Sequence, residues 1–314
     1  MLIYAAQRIG LALLICIIAI TMLFAATRAL PGDLATIMLR PRATPERVAR
    51  LNEEMGLDKP LPVQIVLFLG SAAQGDLGTD PLTERKVSVI IMENLPDTLL
   101  LIAAALGWAV LVGIPLGCFS AIRRNSFIDK FTGVLSVGTI SLPSFVVGIY
   151  AALIFAVQLR WLPMRGAGES GQIGDQIAHL IMPAFAVGLG WVGYLARIVR
   201  ASMLEVMGEN HIRTARAFGL PESKVVARYA LRIAILPTLT LLALAIGGLL
   251  SSTVFAENIF VRPGIGSLIV NSAKLRNYPV LQSSVLVALG IYIAATIVTD
   301  LVVAWLDPRV RTAV

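Results

Sequence analysis

Charge is scarce in this sequence. Asp, Glu, Lys and Arg make up only 14% of the 314 residues, against 57% hydrophobic residues and a mean hydropathy of +0.82, whereas a soluble domain carries about a quarter charged residues. The chain therefore reads as an integral membrane protein. Histidine and cysteine are scarcer still, at two each. Cys16 and Cys118 fall inside apolar runs, where a thiol behaves as a small hydrophobe, so no disulfide framework follows. His179 and His211 have no CxxC or HxxxH spacing around them, which removes the usual zinc patterns, and no metal site is expected. The dipeptide Gly-Lys never occurs, so the phosphate loop GxxxxGK[ST] is missing together with the Lys that would neutralise bound phosphate. A Ser-His-Asp or Cys-His set is also missing, because the two histidines flank one apolar run at its opposite ends. The chain is expected to hold no cofactor and to catalyse nothing. Its net charge of +7 does not point to nucleic acid, since a polytopic membrane protein is basic on one side for topological reasons alone.

What the sequence does have is long apolar runs. A bilayer core needs about 20 apolar residues at 1.5 Å rise each, and six stretches qualify, near 9–29, 98–122, 131–157, 180–199, 233–256 and 280–305. The first is longer than the apolar core of a secretory signal and reads as a retained span. Most of the Lys and Arg in short loops (Arg123, Arg124, Lys130, Arg197, Arg200, Arg213, Arg216, Lys224, Arg228, Arg232, Arg309, Arg311) would share one side with Arg8. The positive-inside rule then places both termini in the cytoplasm. Three regions follow: an N-terminal tail and first span at 1–29, an extracytoplasmic segment with short helices at 30–97, and a core of five further spans at 98–314.

The stretch "HIRTARAFGLPESKVVARYALRIAILP" between the fourth and fifth runs is more than a joint. Glu209 and Asn210 start a helix, Gly219 supplies a left-handed residue that ends it, and Pro221 opens the next, which gives a bent hairpin at 209–232. Ala215, Ala217 and Gly219 are small enough for close approach by a partner, and Arg213, Arg216 and Arg228 suit acids on that partner or lipid phosphates. On residue chemistry alone, a docking hairpin and a plain interfacial helix stand about level. Within the membrane, "SLPSF" sets Ser141 and Ser144 around Pro143, and the fifth run ends with Ser251, Ser252 and Glu257. These six polar or helix-breaking residues are pore-lining candidates, the alternative being interhelical hydrogen bonds. "RPGIGSLIVNSAKLRNYP" has too few apolar residues to cross, and Pro263, Gly264 and Gly266 turn the chain before an amphipathic helix, a candidate external gate. Asp300, near the inner end of the sixth run, is expected to pair with Arg197 or Arg200, since a lone carboxylate there costs about 2.5–3.5 kcal/mol.

The hairpin stretch resembles the EAA loop of ABC importer permeases, and its form is similar to that of the dipeptide, oligopeptide and nickel permease family, in the branch of the B-type membrane subunit. "LPGD" at 30–33, "GLDKPLPVQ" at 56–64, "GDLG" at 75–78, "LPDTLLL" at 95–101, "SLPSF" at 141–145, "PGIGSLIVNSAKLRNYPVLQ" at 263–282 and "LDPRVR" at 306–311 occur in the family's order. Three positions depart from its pattern: His211 stands where Tyr is usual, Phe218 replaces the Lys of "ARAKG", and Asn277 replaces the Asp of "RDYP".

The resemblance implies an all-α type I ABC importer permease fold with six transmembrane helices and a cytoplasmic coupling helix. Residues Arg213, Thr214, Ala215, Arg216, Ala217, Gly219 and Arg228 would engage an ATPase. It also implies a bacterial inner-membrane location and, as partners, a homologous C-type permease, two ATPase subunits that bind ATP and Mg, an extracytoplasmic solute-binding protein and membrane lipid. The solute would be a di- or oligopeptide, with nickel chelates, glutathione, opines and oligosaccharides as alternatives. An ion-coupled secondary transporter is the rival of another class; it would need buried acids along its path and an inverted repeat, and the sequence offers neither.

Overall fold

The structure is a computed structural model that describes the backbone of residues 2–28, 44–55 and 59–306. Side chains are described there except at 2–9, 12, 47, 50, 51, 54, 55, 240, 243, 244 and 299–306. The motifs "LPGD" and "LDPRVR" therefore lie wholly or largely outside the described residues, as does the start of "GLDKPLPVQ", and the side chain of Asp300 lies outside them too. The main helices are α1 (Leu2–Arg28), α2 (Pro45–Met55), α3 (Leu61–Ala73), α4 (Val87–Ile122), α5 (Phe127–Ser141), α6 (Ser144–Ala151), α7 (Ile173–Met207), α8 (Asn210–Ala217), α9 (Leu236–Ile259), α10 (Ile265–Lys274) and α11 (Tyr278–Leu306). Among the described residues there is no strand, only an isolated bridge between Thr79 and Lys86.

Among the described residues three helices are long and apolar enough to cross a membrane: Val87–Ile122, Ile173–Met207 and the Tyr278–Val298 part of α11. A fourth crossing results if α5 and the helix that follows it are taken as one span bent by 99°. The other two expected spans are helical, as α1 and α9, but the described parts of the chain do not by themselves make them crossings. Helix α4 starts eleven residues before the expected 98, and at 36 residues it is about 54 Å long, well beyond a hydrocarbon core of about 30 Å.

The bend has a local cause. Pro143 has no N–H and pushes the residue before it out of the helical region. Leu142 accordingly sits at φ −85° and ψ 121°, and Pro143 at φ −60° and ψ 137°. Helix α5 stops at Ser141, whose hydroxyl turns back to donate to the Val137 carbonyl at 2.8 Å, and α6 begins at Ser144.

The chain divides into two compact units. The first comprises 1–98 and 263–297. Among the described residues its apolar packing has two centres, one around Ile20, Phe24 and Ile65 and the other around Val87, Ile91, Ile265 and Val280. A turn keyed by Asp80 closes beside the second centre. The Asp80 carboxylate is 5% exposed and accepts from the Leu82 N–H (2.9 Å), the Thr83 hydroxyl (2.5 Å) and the Asn277 side-chain amide (2.6 Å). The gate candidates lie here: Gly264 and Gly266 are buried, Pro263 is exposed, and the ten-residue α10 starts directly after Gly264, its first N–H donated to the Thr98 hydroxyl at 2.8 Å.

The second unit, 99–262 and 298–314, is built around α7. One face of α7 is made of small residues, which lets its neighbours approach to backbone distance. A Cβ on Gly117 of α4 would lie 2.5 Å from the Ala196 carbonyl oxygen. Ser136 and Thr139 of α5 are buried over Gly193, so these hydroxyls serve helix packing.

Candidate functional site: a helical hairpin and an aromatic cleft

In α8, Ile212 and Ala215 are buried while Arg213, Thr214, Arg216, Ala217 and Phe218 are exposed, the pattern of a helix with one docked and one free face. Ile212 and Ala215 pack with Cys118 and Ala121 at the end of α4 and with Val199, Met203 and Val206 on α7. Burying Ile212 alone stabilises this placement by about 1.5–3 kcal/mol. The helix ends in a Schellman motif: the Gly219 N–H donates to the Arg216 carbonyl at 2.9 Å and the Leu220 N–H to the Ala215 carbonyl at 3.4 Å, with Gly219 at φ +73°. Pro221 then leads into Glu222–Lys224, a π-helical stretch Val225–Ala230 and Leu231–Ala234. Val225, Ala230 and Ala234 return to the same apolar cluster.

The seven residues read as coupling positions are all gathered on this hairpin, but they differ in what they offer. Ala215 is buried and Arg228 is exposed on the second limb. Arg216 is engaged within the hairpin, its guanidinium donating to both carboxylate oxygens of Glu222 at 3.1 and 2.7 Å. This fork holds Glu222 below the usual carboxylate range and raises Arg216. Arg213, Thr214, Ala217 and Phe218 remain as the outward face, with Phe218 81% exposed at the tip. Glu209, just before the helix, lies 3.0 Å from Nδ1 of His211.

Below the hairpin, Asp129 joins three helices. Its carboxylate accepts both Nε (2.5 Å) and an Nη (2.9 Å) of Arg200 on α7, the Ser120 hydroxyl on α4 (2.6 Å) and the Asn125 N–H (2.9 Å). The bidentate fork fixes geometry as well as charge. Arg200, expected to balance Asp300, is therefore taken by Asp129. The sequence does not announce this pair, because 71 positions separate its members.

The second feature is a cleft of about 320 Å³ where the α5–α6 break faces α7 and α9. Leu142 and Ser144 come from the break, Trp191 and Tyr194 from α7, and Leu241 and Ser252 from α9. Among the described residues no charged side chain lines it. Of the six pore candidates the cleft brings together two, Ser144 and Ser252. Ser141 and Ser251 are exposed outside it, as is Pro143, while Glu257 is fully buried. Trp191 and Tyr194 escape a reading from sequence, since aromatics three apart in an apolar helix look like core. The signal that could have found them is their continuation to Arg197 along one helix face. The two rings meet edge to face at 5.7 Å, and the Arg197 guanidinium lies 5.8 Å from the centre of the Tyr194 ring.

The family model described as "binding-protein-dependent transport system inner membrane component" matches residues 113–312, and the model of the corresponding N-terminal region matches 1–102. A putative peptide permease protein of Brucella suis is 37% identical over 309 residues, 96% of each chain. The glutathione transport system permease protein of Salmonella typhimurium is 36% identical over 312 residues, 99% of each chain. A probable peptide ABC transporter permease protein of Sinorhizobium fredii is 34% identical over 290 residues, 92% of this chain and 93% of that one.

Proposed function

Because the chain belongs to the family of binding-protein-dependent transport system inner membrane components, we propose that this ABC importer permease forms one half of a translocation pore for di- or oligopeptides. The observation that carries the coupling role is the hairpin. Its inner face is anchored on α4 and α7 by Ile212 and Ala215, and its outer face leaves Arg213, Thr214, Ala217 and Phe218 unengaged. A partner that pushes on that face moves a rigid turn, and the turn is packed against the two helices that also hold Asp129. Two ATPase subunits, one on this hairpin and one on that of a homologous C-type permease, would convert ATP-driven closure into alternate opening of the pore. ATP and Mg belong to those subunits.

In this reading α1 and α9 join α4, the bent α5–α6 pair, α7 and α11 as six spans, with both termini and the hairpin in the cytoplasm. The solute arrives from an extracytoplasmic binding protein, and α10 with Pro263, Gly264 and Gly266 gates its entry. Ser144 and Ser252 belong to the path. The exposed candidates Ser141, Pro143 and Ser251 are proposed to face the second permease, whereas Glu257 is buried within this chain.

The test is to isolate the chain from its native membrane and identify what accompanies it. Stoichiometric recovery of ATPase subunits and a second permease, with ATP-driven peptide uptake on adding the binding protein, is the expected result. Recovery without any ATPase, or uptake driven by an ion gradient alone, would sink the proposal. Uptake of glutathione, opines, nickel chelates or oligosaccharides in place of peptide would keep the architecture and change the solute.

A further inference from the structure

The cleft and Arg197 together have a polarity that matches one class of solute. Trp191 and Tyr194 give an apolar aromatic wall, and among the described residues neither the indole N–H nor the phenol hydroxyl has a hydrogen-bond partner. At one edge lies a freed carbonyl. An unbroken helix would have the Thr139 carbonyl accept from residue 143, but that residue is Pro143, and the Thr139 oxygen lies within 3.5 Å of where a Cβ on Gly190, a cleft residue, would stand. A helix end of this kind presents the negative end of the backbone dipoles. Toward the other edge stands Arg197, exposed and, among the described residues, without an ion pair, whereas Arg200 one turn later is locked by Asp129. Trp191 and Arg197 are six residues apart on one helix, about 9 Å along its axis. Two extended residues of a peptide span about 7 Å.

We propose that this cleft is a peptide-contact subsite of the permease. It takes an uncharged apolar or aromatic side chain against Trp191 and Tyr194, and the C-terminal carboxylate on Arg197. The hydroxyls of Ser144 and Ser252 accept from the N-terminal ammonium and the peptide N–H, on the side of the cleft where the α5 C-terminus turns its negative end. A cavity near 320 Å³ is at the small end of ligand sites, which suits one side chain with its backbone and not a whole oligopeptide. A solute with two carboxylates would leave one facing the apolar wall without a cation, an arrangement that desolvation opposes. The inference rests on the peptide-importer reading and adds the chemistry by which this chain distinguishes its solute.

Binding-protein selectivity must be kept out of the test, so the assay uses the complex of both permeases and the ATPases in nanodiscs without binding protein. Cys16 and Cys118 are replaced by Ala, Leu241→Cys at the cleft wall supplies the reporter, and its labelling by a neutral maleimide is followed on this chain by mass. The probes are Ala-Phe and Ala-Phe amide. We expect Ala-Phe to slow labelling, with Ala-Phe amide needing at least tenfold more for the same protection. Arg197→Gln should bring the two within twofold, and Arg197→Lys should restore most of the difference. Equal protection by acid and amide in the parent, or a difference that survives Arg197→Gln, overturns the subsite. ATP-driven uptake of Ala-Phe by the intact system is measured in parallel. Uptake without protection overturns the subsite alone, and absence of both overturns the peptide reading on which it rests.

Discussion

Gly219 and Gly188 respond to an added side chain for opposite reasons, and the contrast separates docking from packing. Around Gly219 a Cβ meets nothing within 4 Å, but the backbone sits at φ +73°. A β-branched residue there stores about 1–3 kcal/mol of strain and loosens the Schellman turn. Gly188 has ordinary helical backbone, yet a Cβ would lie 2.6 Å from the Ala105 carbonyl oxygen and against the Trp108 indole, and overpacking of that kind costs about 1–3 kcal/mol or more. We expect Gly219→Val to leave membrane insertion and pairing with the second permease intact, at a cost in Tm no larger than that of Gly188→Val, while weakening ATPase retention or uncoupling hydrolysis from uptake. Gly188→Val should lower Tm by several degrees, on the order of the shift that 1–3 kcal/mol produces. Normal uptake by the Gly219→Val complex would mean that the hairpin is an interfacial helix only. A second residue-scale test concerns Asn277, where the family pattern carries Asp. Its amide donates to the buried Asp80 carboxylate at 2.6 Å, so an acid at 277 would replace a donor with a second carboxylate. Asn277→Asp should destabilise the first unit by about 1–3 kcal/mol at neutral pH, and Asp80→Asn in the same chain should recover most of it by returning a donor. A double-mutant cycle on thermal unfolding measures the coupling, and additivity of the two changes would refute it.

At the scale of elements, most helices were legible because their signals are local. Six apolar runs became helical stretches, Pro143 produced a break with a 99° bend, and the Gly219-Leu-Pro sequence produced the turn it spells. What was not legible depends on partners far apart in sequence. The early start of α4 at Val87 carries the helix through Pro96, ahead of the apolar run expected from 98. The π-helical stretches Ala152–Gln158 and Val225–Ala230 follow from packing, and no propensity encodes them. In the hairpin, the Arg216–Glu222 fork ties the two limbs across six positions, and its pH response is signed. Glu222 is held below the ordinary carboxylate range, chiefly by the hydrogen bonds from Arg216. Its contribution is therefore complete above that range, near pH 4.3 for Glu, and is lost as pH falls through the lowered value. Both side chains are about half exposed, so the pair is worth at most about 1 kcal/mol. Amide exchange at Gly219 and Leu220, corrected for intrinsic rates, should show protection that weakens on acidification in the parent. Glu222→Gln should show weaker protection at neutral pH and a flat acid response, and identical profiles would exclude the fork as the cause.

For the whole molecule, the arrangement of charge decides which way round the machine works. The hairpin exposes Arg213, Arg216, Lys224, Arg228 and Arg232, and among the described residues only Arg216 of these has its charge met by a neighbour. Translocating that cluster would oppose the positive-inside bias, and a coupling surface is of use only on the side where ATP is hydrolysed. The segment before α4 is different: near Gln74 the chain turns through Gly75 and Gly78, both at positive φ, with Asp76 accepting from the Gly78 N–H at 3.0 Å. The seven Lys and Arg between 30 and 97 do not weigh against its placement outside, because a segment of that length translocates largely regardless of its charge. In a chain with Cys16 and Cys118 replaced by Ala, Gln74→Cys should react from outside intact cells with a membrane-impermeant maleimide. Ser223→Cys, exposed on the hairpin, should react only after the membrane is opened, and then faster when the chain is produced without ATPase subunits. Shielding by the ATPases at Ser223 together with outside access at Gln74 would place solute entry and energy input on opposite faces, as import requires. Labelling of Ser223→Cys from outside would invert the topology, and the hairpin could then have no ATP-hydrolysing partner.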